Sequence, residues 1–291
     1  MFLIIILNAL LLTFFFLKNK GSKFICLKKP LRFTVFSCMT GGVILITIGL
    51  SYFAQTIVLG MFVGQYTITN NGVVWNNPGT GLLYNFISYF LIVGVIEELL
   101  KIIPVFVLNK EFYGEDMTKK YDCIIAFLIV GMVFSIVEDF LYIFIYYEGG
   151  VNVGIQRLLT EFSTHTLWAL LIGIGYYKYF VKKKAERIAF NLKTRQVEGI
   201  SYNLGMSSKK IFTLSCLIVV LMHGMYDFLL MTYPILGIVF ASFRFIFFVV
   251  NLAFLRNTNL NEDSINIFLR YHKNINRQDL KQFIEDNNIR F

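Results

Sequence analysis

The chain has 291 residues, of which 56% are hydrophobic and 17% aromatic, while only 15% are charged. Soluble domains average about 25% charged residues, so this composition excludes an ordinary soluble globule and is typical of a protein built from membrane spans. The formal net charge of +9 is unevenly placed, because Lys and Arg follow alternate apolar runs and residues 60–83 contain neither. This positive-inside asymmetry explains the basic balance without nucleic acid and leaves membrane lipid as the expected surroundings.

Seven apolar runs predict an all-α, polytopic membrane helix bundle, with the N-terminus outside and the C-terminus in the cytoplasm. We expect a multi-pass protein of the plasma membrane of a bacterium. The first run has neither a preceding positive region nor a cleavage site, so it is interpreted as a retained helix. The runs cover residues 2–17, 33–59, 83–108, 121–147, 160–181, 211–232 and 235–255.

The runs divide the chain into an N-terminal pair of spans with an outer loop, a four-helix core, a seventh span and a cytoplasmic polar tail. The core is the part in which ionisable residues interrupt the apolar runs, so we expect the function to lie there. The four parts are residues 1–82, 83–232, 233–255 and 256–291.

Three connecting segments carry weaker signals. The outer loop contains TITNNGVVW, which is compatible with a small hairpin turning at Asn71-Gly72. Such a β element could pair with an extended peptide segment, although an ordinary polar connection is the favoured interpretation. The basic segment 182–210 is interpreted as a determinant of topology. In the tail, the sequence from Arg277 predicts a short surface helix that docks on the membrane or on its own protein, with an apolar face made by Leu280, Phe283 and Ile284.

The third run holds two adjacent acids, Glu97 and Glu98, followed by Lys101. A charged side chain at mid-bilayer costs roughly 2.5–3.5 kcal/mol, so such residues usually face a polar interior and serve a function. On a helix Lys101 lies one turn from both acids and can pair with either. A helix end at the cytoplasmic interface, with Pro104 following, is the simpler alternative, but the apolar run continues beyond the acids and favours function.

The fourth run contains Glu138 and Asp139. Tyr142 lies one helical turn after Glu138, so its phenol is placed to orient that carboxylate or to stabilise an oxyanion. Asp139 points about 100° away, and its role is left open.

Two of the three histidines, His165 and His223, interrupt the fifth and sixth runs. Each has an acid one turn away, Glu161 before His165 and Asp227 after His223, which is the spacing at which a carboxylate fixes an imidazole tautomer. A lone membrane histidine is more often a packing residue, but two of them facing acid-bearing helices favour a site. Arg244 in the seventh run is interpreted as a structural counter-ion.

Four segments together resemble the signature segments of the PrsW family of glutamate-type intramembrane proteases. That family is distantly similar to the CAAX-processing and bacteriocin-immunity membrane proteases. The resemblance covers about residues 83–232, and its segments fall in the expected order on four consecutive spans. They are GVIEELLK (94–101), FSIVEDFLY (134–142), STHTLWALLIGIGY (163–176) and HGMYDF (223–228).

The resemblance implies a peptidase that depends on glutamate and not on a metal, with no cofactor. In this hypothesis one of the two adjacent acids, with Glu138, takes a proton from water, and the histidines stabilise the oxyanion or protonate the leaving amine. The expected substrate is a single-span membrane protein such as an anti-sigma factor. One departure is Asp139, where the family pattern leads us to expect Asn. The implied catalytic set is Glu97, Glu98, Glu138, His165 and His223, and the implied supporting set is Lys101 and Asp227.

Three other hypotheses remain open. A zinc protease is compatible with two histidines and a glutamate, although HExxH is absent. A proton-coupled transporter or a peptide-immunity protein also carries membrane acids and histidines.

Straight spans would place Glu97 deeper in the bilayer than His165, so a shared site requires a bend near Gly94 or Pro104, or a later start of the third span.

Overall fold

A computed structural model describes residues 30–69, 72–111, 120–145, 164–195, 200, 204–242 and 258–286 of the chain. This part is mostly helical, which confirms the helical class. The first predicted span (2–17) and the second half of the seventh lie outside the described residues. The elements are α1 (Pro30–Met61), β1 (Tyr66–Thr69), β2 (Gly72–Trp75), α2 (Pro78–Asn85), a π-helical segment (Phe86–Val93), α3 (Gly94–Leu100), α4 (Ile102–Glu111), α5 (Lys120–Ile145), α6 (Thr164–Thr194), α7 (Ser208–Thr232), α8 (Pro234–Ser242), α9 (Leu260–Tyr271) and α10 (Arg277–Asp286).

By length and composition, three helical stretches in the described part can cross a bilayer: Met39–Met61, Lys120–Asp139 and Ser208–Thr232. The first has one buried stripe and one exposed apolar side. Thr40, Ile44 and Thr47 are buried at helical spacing, whereas Ile46 and Phe53 are exposed. An exposed apolar side is expected where lipid replaces water.

The third predicted span is not one straight helix. It begins as α2, continues as the π-helical segment and α3, and is interrupted at Lys101 before α4. Pro104 explains the break, because a proline ring clashes with the carbonyl of the residue four positions earlier, here Leu100. In α4 the same proline occupies the first turn, where its missing N–H would have no helical partner anyway. The interruption therefore separates the helix that carries the two acids from α4.

Helix α5 is the centre of the bundle and packs against α6, α1 and α4. Its side chains Ala126, Phe127 and Val130 are fully buried. Close approach to α6 depends on Gly131, where an added Cβ would lie 2.5 Å from the carbonyl oxygen of His165. The glycine therefore fixes the start of α6 beside the middle of α5.

Helix α6 runs well past the predicted end of the fifth span. Residues 182–194 were assigned to a basic loop, but they continue the helix, because its buried side is apolar and has a partner in the tail. This region forms a second small core with the tail. Its buried members are Ala185, Ile188, Ala189, Leu192, Ile200, Leu204, Ile265, Phe268 and Leu280.

The tail docks on its own protein. Helix α10 is the predicted surface helix, with Leu280 buried and Phe283 and Ile284 against the second core. Helix α9 was not predicted; it packs along α6, and the Tyr177 hydroxyl donates a 2.6 Å hydrogen bond to Asp263. Lys281 and Arg277 bind Glu262, which lowers the pKa of this carboxyl.

The loop after α1 contains an antiparallel hairpin, as the sequence allowed, while its role as an ordinary connection stays a prediction. Pairing of Thr69 with Gly72 places Gly72 in β2, not in the turn as the Asn71-Gly72 prediction had it. Hydrophobic β-branched and aromatic residues on both sides favour pairing of these strands.

Candidate active site

Four helices bring the predicted acids and histidines together. Helix α3 carries Glu97 and Glu98, and α5 carries Glu138. The first turn of α6 carries His165, and α7 carries His223. Close packing of the π-helical segment on α7 aligns these elements, because an added Cβ on Gly224 would lie 2.3 Å from the carbonyl oxygen of Phe90.

Glu98 is the centre of the hydrogen-bond network. Its Oε1 accepts a 2.6 Å hydrogen bond from Lys101 Nζ and lies 2.7 Å from His223 Nδ1. The same oxygen is 4.0 Å from His165 Nδ1. Glu98 and Lys101 are each only 1% exposed, so this is a fully buried ion pair. Lys101 thus pairs with the acid three residues earlier, and Glu97 is left to other partners.

His165 links the ion pair to α5. Its Nδ1 lies 2.7 Å from Lys101 Nζ, and its Nε2 lies 2.6 Å from Glu138 Oε2. An ammonium group only donates, so Nδ1 is assigned as the acceptor and Nε2–H as the donor to Glu138. The carboxylate that fixes this imidazole comes from another helix. The predicted partner, Glu161, lies outside the described residues.

His223 lies between carboxylates from two helices. Its Nδ1 faces Glu98, and its Nε2 is 3.1 Å from Asp227 Oδ2, the i,i+4 partner that the sequence predicted. Both nitrogens therefore face acceptors, the arrangement in which an imidazolium donates from both. Its Nε2 is also 3.9 Å from Glu97 Oε2.

Glu97 and Glu98 each have one carboxylate oxygen without a partner among the described residues. Both residues are buried, and within the described part of the chain the Oε2 of each has no hydrogen-bond partner. A buried carboxylate oxygen without a donor is costly, so such an atom usually has a ligand, a water or a proton in use. The two acids differ in their other contacts, because Lys101 and His223 bind the Oε1 of Glu98.

Two aromatic residues that sequence reasoning missed enclose the histidines. The Trp168 ring lies 4.2 Å from the His223 ring, centre to centre, and the Phe134 ring lies 4.6 Å from that of His165. Lys101 Nζ is 3.8 Å from the Phe134 centroid, a cation–π distance. Helical spacing could have identified both rings, because Phe134 precedes Glu138 by four residues and Trp168 follows His165 by three, so each ring lies on the helix face of a site residue.

The remaining predicted residues are placed less directly. Asp139 is buried, at 4% exposure, beside Glu138. Tyr142 belongs to α5, but its side chain lies outside the described residues, as does Arg244. The expected depth conflict between Glu97 and His165 does not occur, because their ligand atoms lie within 4.8 Å of each other.

The donor set also fits a metal ion. One ligand atom each from Glu97, His165 and His223 lies within 4.8 Å of the other two, and all three residues are buried. Two imidazole nitrogens and one carboxylate oxygen are a common catalytic zinc set. The contact of His223 Nδ1 with Glu98 matches the outer carboxylate that commonly orients a zinc-bound histidine. The orphaned Oε2 of Glu97 is compatible with a ligand role.

Comparison with known proteins identifies the family. The family model described as "PrsW family intramembrane metalloprotease" matches residues 29–255, which is more than half of the chain. The chain belongs to the PrsW family. The family resemblance of the four helical segments is thereby confirmed, and the membrane character of the chain follows from it and from the apolar helices.

Two curated relatives carry the family name. The chain is 28% identical to "Protease PrsW" of Clostridioides difficile (strain 630) over 49% of this chain and 51% of the relative. It is 23% identical to "Protease PrsW" of Oceanobacillus iheyensis over 60% of this chain and 69% of that relative. The chain thus matches about half the length of the first PrsW relative. No solved structure matches the chain.

Proposed function

We propose that the chain is a multi-pass intramembrane peptidase that hydrolyses a peptide bond of a membrane-anchored protein. The observation that carries the proposal is the meeting of Glu97, Glu98, Glu138, His165 and His223 in one buried cluster built by four helices. Membership of the PrsW family, whose curated relatives are named proteases, supports the same activity.

Glu97 is the proposed general base. Its Oε2 accepts no hydrogen bond from the described residues, so a lone pair remains for the proton of a water. The Oε2 of Glu98 also lacks a partner among the described residues, but Lys101 and His223 bind its Oε1, so this carboxylate is assigned as their counter-ion. Glu98 and Lys101 are therefore positioning residues, which hold His223 and His165 in place.

The histidines are the proposed donors. Water adds to the scissile carbonyl carbon as its proton passes to Glu97, and the C–N bond then breaks, giving a carboxylic acid and an amine. The N–H group of His223 nearest to Glu97 Oε2 stabilises the oxyanion, and Glu97 then passes the proton that it took from water to the leaving nitrogen. His165, held in place by Glu138, is the second donor to the oxyanion. Trp168 and Phe134 keep both rings in place and exclude water from their faces.

The proposed substrate is a single-span regulatory protein of the anti-sigma-factor type, cut in or beside the bilayer. This follows from the family resemblance and from the location of the cluster among apolar helices. Cleavage of such a regulator would connect a membrane event to transcription. The expected location is the bacterial plasma membrane.

A metal-assisted peptidase is the second candidate, favoured by the clustering of Glu97, His165 and His223. A zinc ion held by these residues would supply Lewis acidity and a water that ionises near neutral pH. The metal-independent reaction is proposed first, because a metal needs imidazole lone pairs. Three of the four nitrogens face carboxylates, to which they donate as N–H groups, and the lone pair of the fourth accepts from Lys101.

The first experiment separates the roles of the two adjacent acids. Purified protein in detergent is incubated with a panel of candidate single-span proteins, and kcat is compared for E97Q and E98Q. E97Q should lower kcat by at least about a hundredfold and leave the unfolding temperature unchanged, because its Oε2 makes no hydrogen bond. E98Q should lower both, because it removes one partner of a buried ion pair. Cleavage by E97Q at the wild-type rate would refute the assignment, and E262Q in the tail is the matched control.

The second experiment separates the two mechanisms. We expect the purified protein to carry no stoichiometric metal and to keep its activity in a zinc chelator. The metal-assisted mechanism would replace the first one under two conditions. The wild-type protein would have to bind zinc that both H165A and H223A lose, and added zinc would have to restore the activity of chelator-treated wild-type protein.

A further inference from the structure

The hairpin presents free backbone groups at both edges. The backbone N–H of Asn76 donates to the backbone carbonyl of Gln65, so these two residues form a hydrogen-bonded pair. In an antiparallel ladder hydrogen-bonded pairs recur at every second position, and the next one joins Thr67 to Val74. The intervening residues Ile68 and Val73 therefore direct their N–H and C=O groups outwards. Within the described residues these groups have no backbone partner.

The edges lack the usual protection against pairing. Edge strands are commonly guarded by charged residues, by proline or by a bulge. Residues 60–83 contain no Asp, Glu, Lys or Arg, and both strands lack proline. Ile68 is 75% exposed and Val74 is 53% exposed, so apolar side chains flank an open ladder. Such an edge is complementary to an extended, uncharged peptide.

The hairpin is fixed to the element that carries Glu97. The Trp75 ring lies 4.9 Å from that of Tyr84 and 5.9 Å from that of Phe62. Gly81 of α2 lies directly under Trp75, because an added Cβ there would be 2.8 Å from the indole ring. Tyr84 and Glu97 belong to one uninterrupted helical run that joins α2, the π-helical segment and α3.

The hairpin lies within a short reach of the site. Tyr84 precedes Glu97 by thirteen residues, which corresponds to about 20 Å along a helix. An extended peptide covers that distance with about six residues. A substrate segment paired with the hairpin can therefore continue directly to Glu97.

We propose that the edge of β1 at Ile68 binds the extended segment of the substrate that adjoins its membrane span, as a third strand. The β1 edge is assigned because α2 follows β2 and packs against it. This inference rests on the proposed peptidase function and names how its substrate is held. Peptidases act on extended backbone, and backbone pairing supplies affinity without requiring a particular side-chain sequence.

The test uses two single-span model substrates that differ only in ten residues outside the bilayer. One segment alternates Thr and Val, and the other has Pro at every second position, which removes the donors of a new ladder. The wild-type protein should cleave the Thr/Val substrate with a KM about fivefold lower, at similar kcat. I68P should abolish this difference, because it removes an outward N–H while the ladder positions stay intact. V73P on the opposite edge is the matched control and should retain the difference.

The inference is overturned if the wild-type KM is equal for both substrates or if I68P retains the difference. Failure of the peptidase function gives another pattern, in which neither substrate is cleaved. In that case hydrogen exchange at the Ile68 amide, measured in E97Q with the Thr/Val substrate, decides the docking alone. Slower exchange supports the third strand, and unchanged exchange refutes it.

Discussion

The buried ion pair of Glu98 and Lys101 shows what single residues contribute to this molecule. Both side chains are 1% exposed, and the pair is completed by His223 and His165. Helical spacing predicted that Lys101 pairs with one of the two acids, but not which one, because both lie one turn away. Which acid Lys101 pairs with depends on where α6 and α7 place His165 and His223, and this is set by the tertiary structure.

Sequence reasoning was more successful for partners on one helix than for partners between helices. The pair of His223 with Asp227 follows from i,i+4 spacing and is present at 3.1 Å. The partner of His165, Glu138, lies on α5 at 2.6 Å, and no periodicity in the sequence reports such a contact. Apolar residues flank both the lipid-facing and the site-facing positions of these helices. The sequence therefore identifies candidate site residues but does not show which of them contact each other between helices.

We predict that K101M destabilises the protein and that E98Q partly restores it. Removing the ammonium alone leaves a buried carboxylate and should cost about 3–5 kcal/mol of unfolding free energy, whereas removing both charges avoids that penalty. The measurement is the unfolding free energy in detergent for wild type, both single variants and the double variant. A double variant as unstable as the sum of the singles would show that the two groups act independently.

At the scale of elements, the decisive feature is the broken third span. Hydropathy averaged over residues 83–108 detects an apolar run, but it carries no information on hydrogen-bond register. The π-helical segment and the turn at Lys101 therefore went unpredicted in detail, although Gly94 and Pro104 marked the region. Where the third span contacts α7, Gly94 and Gly224 allow the two backbones to approach closely. An added Cβ on Gly94 would lie 2.9 Å from the Cα of Gly224.

We predict that G224A destabilises the bundle by about 1–3 kcal/mol, because the new methyl group would overlap the carbonyl oxygen of Phe90 and force the π-helical segment away from α7. The matched control is G49A in α1, where nothing lies within 4 Å of the added carbon. Alanine is favoured over glycine in a helix by about 1 kcal/mol, so the control should be neutral or stabilising. Unfolding temperatures in detergent test both. Equal effects of the two variants would show that the contact does not limit helix approach.

The molecule as a whole has two cores connected by α6. The first, around α5, contains the site, and the second joins the end of α6 to the tail. Composition predicted a membrane bundle and a polar tail, and it placed the Leu280 helix correctly. It did not predict α9 or the extension of α6. The basic residues of 182–194 are typical of a loop, and the helix is recognised only when their apolar neighbours are matched to the tail that covers them.

Removal of one buried ring should test whether the two cores are independent. Phe268 is fully buried in the second core, and F268A should cost about 3–5 kcal/mol there. The tail should then become sensitive to limited proteolysis, while the site residues, in contact with a different cluster, keep their arrangement and their peptidase activity. F190A removes a ring of α6 that is 52% exposed and should leave the tail protected. Loss of cleavage in F268A with an intact bundle would show instead that the tail couples to the site through α6.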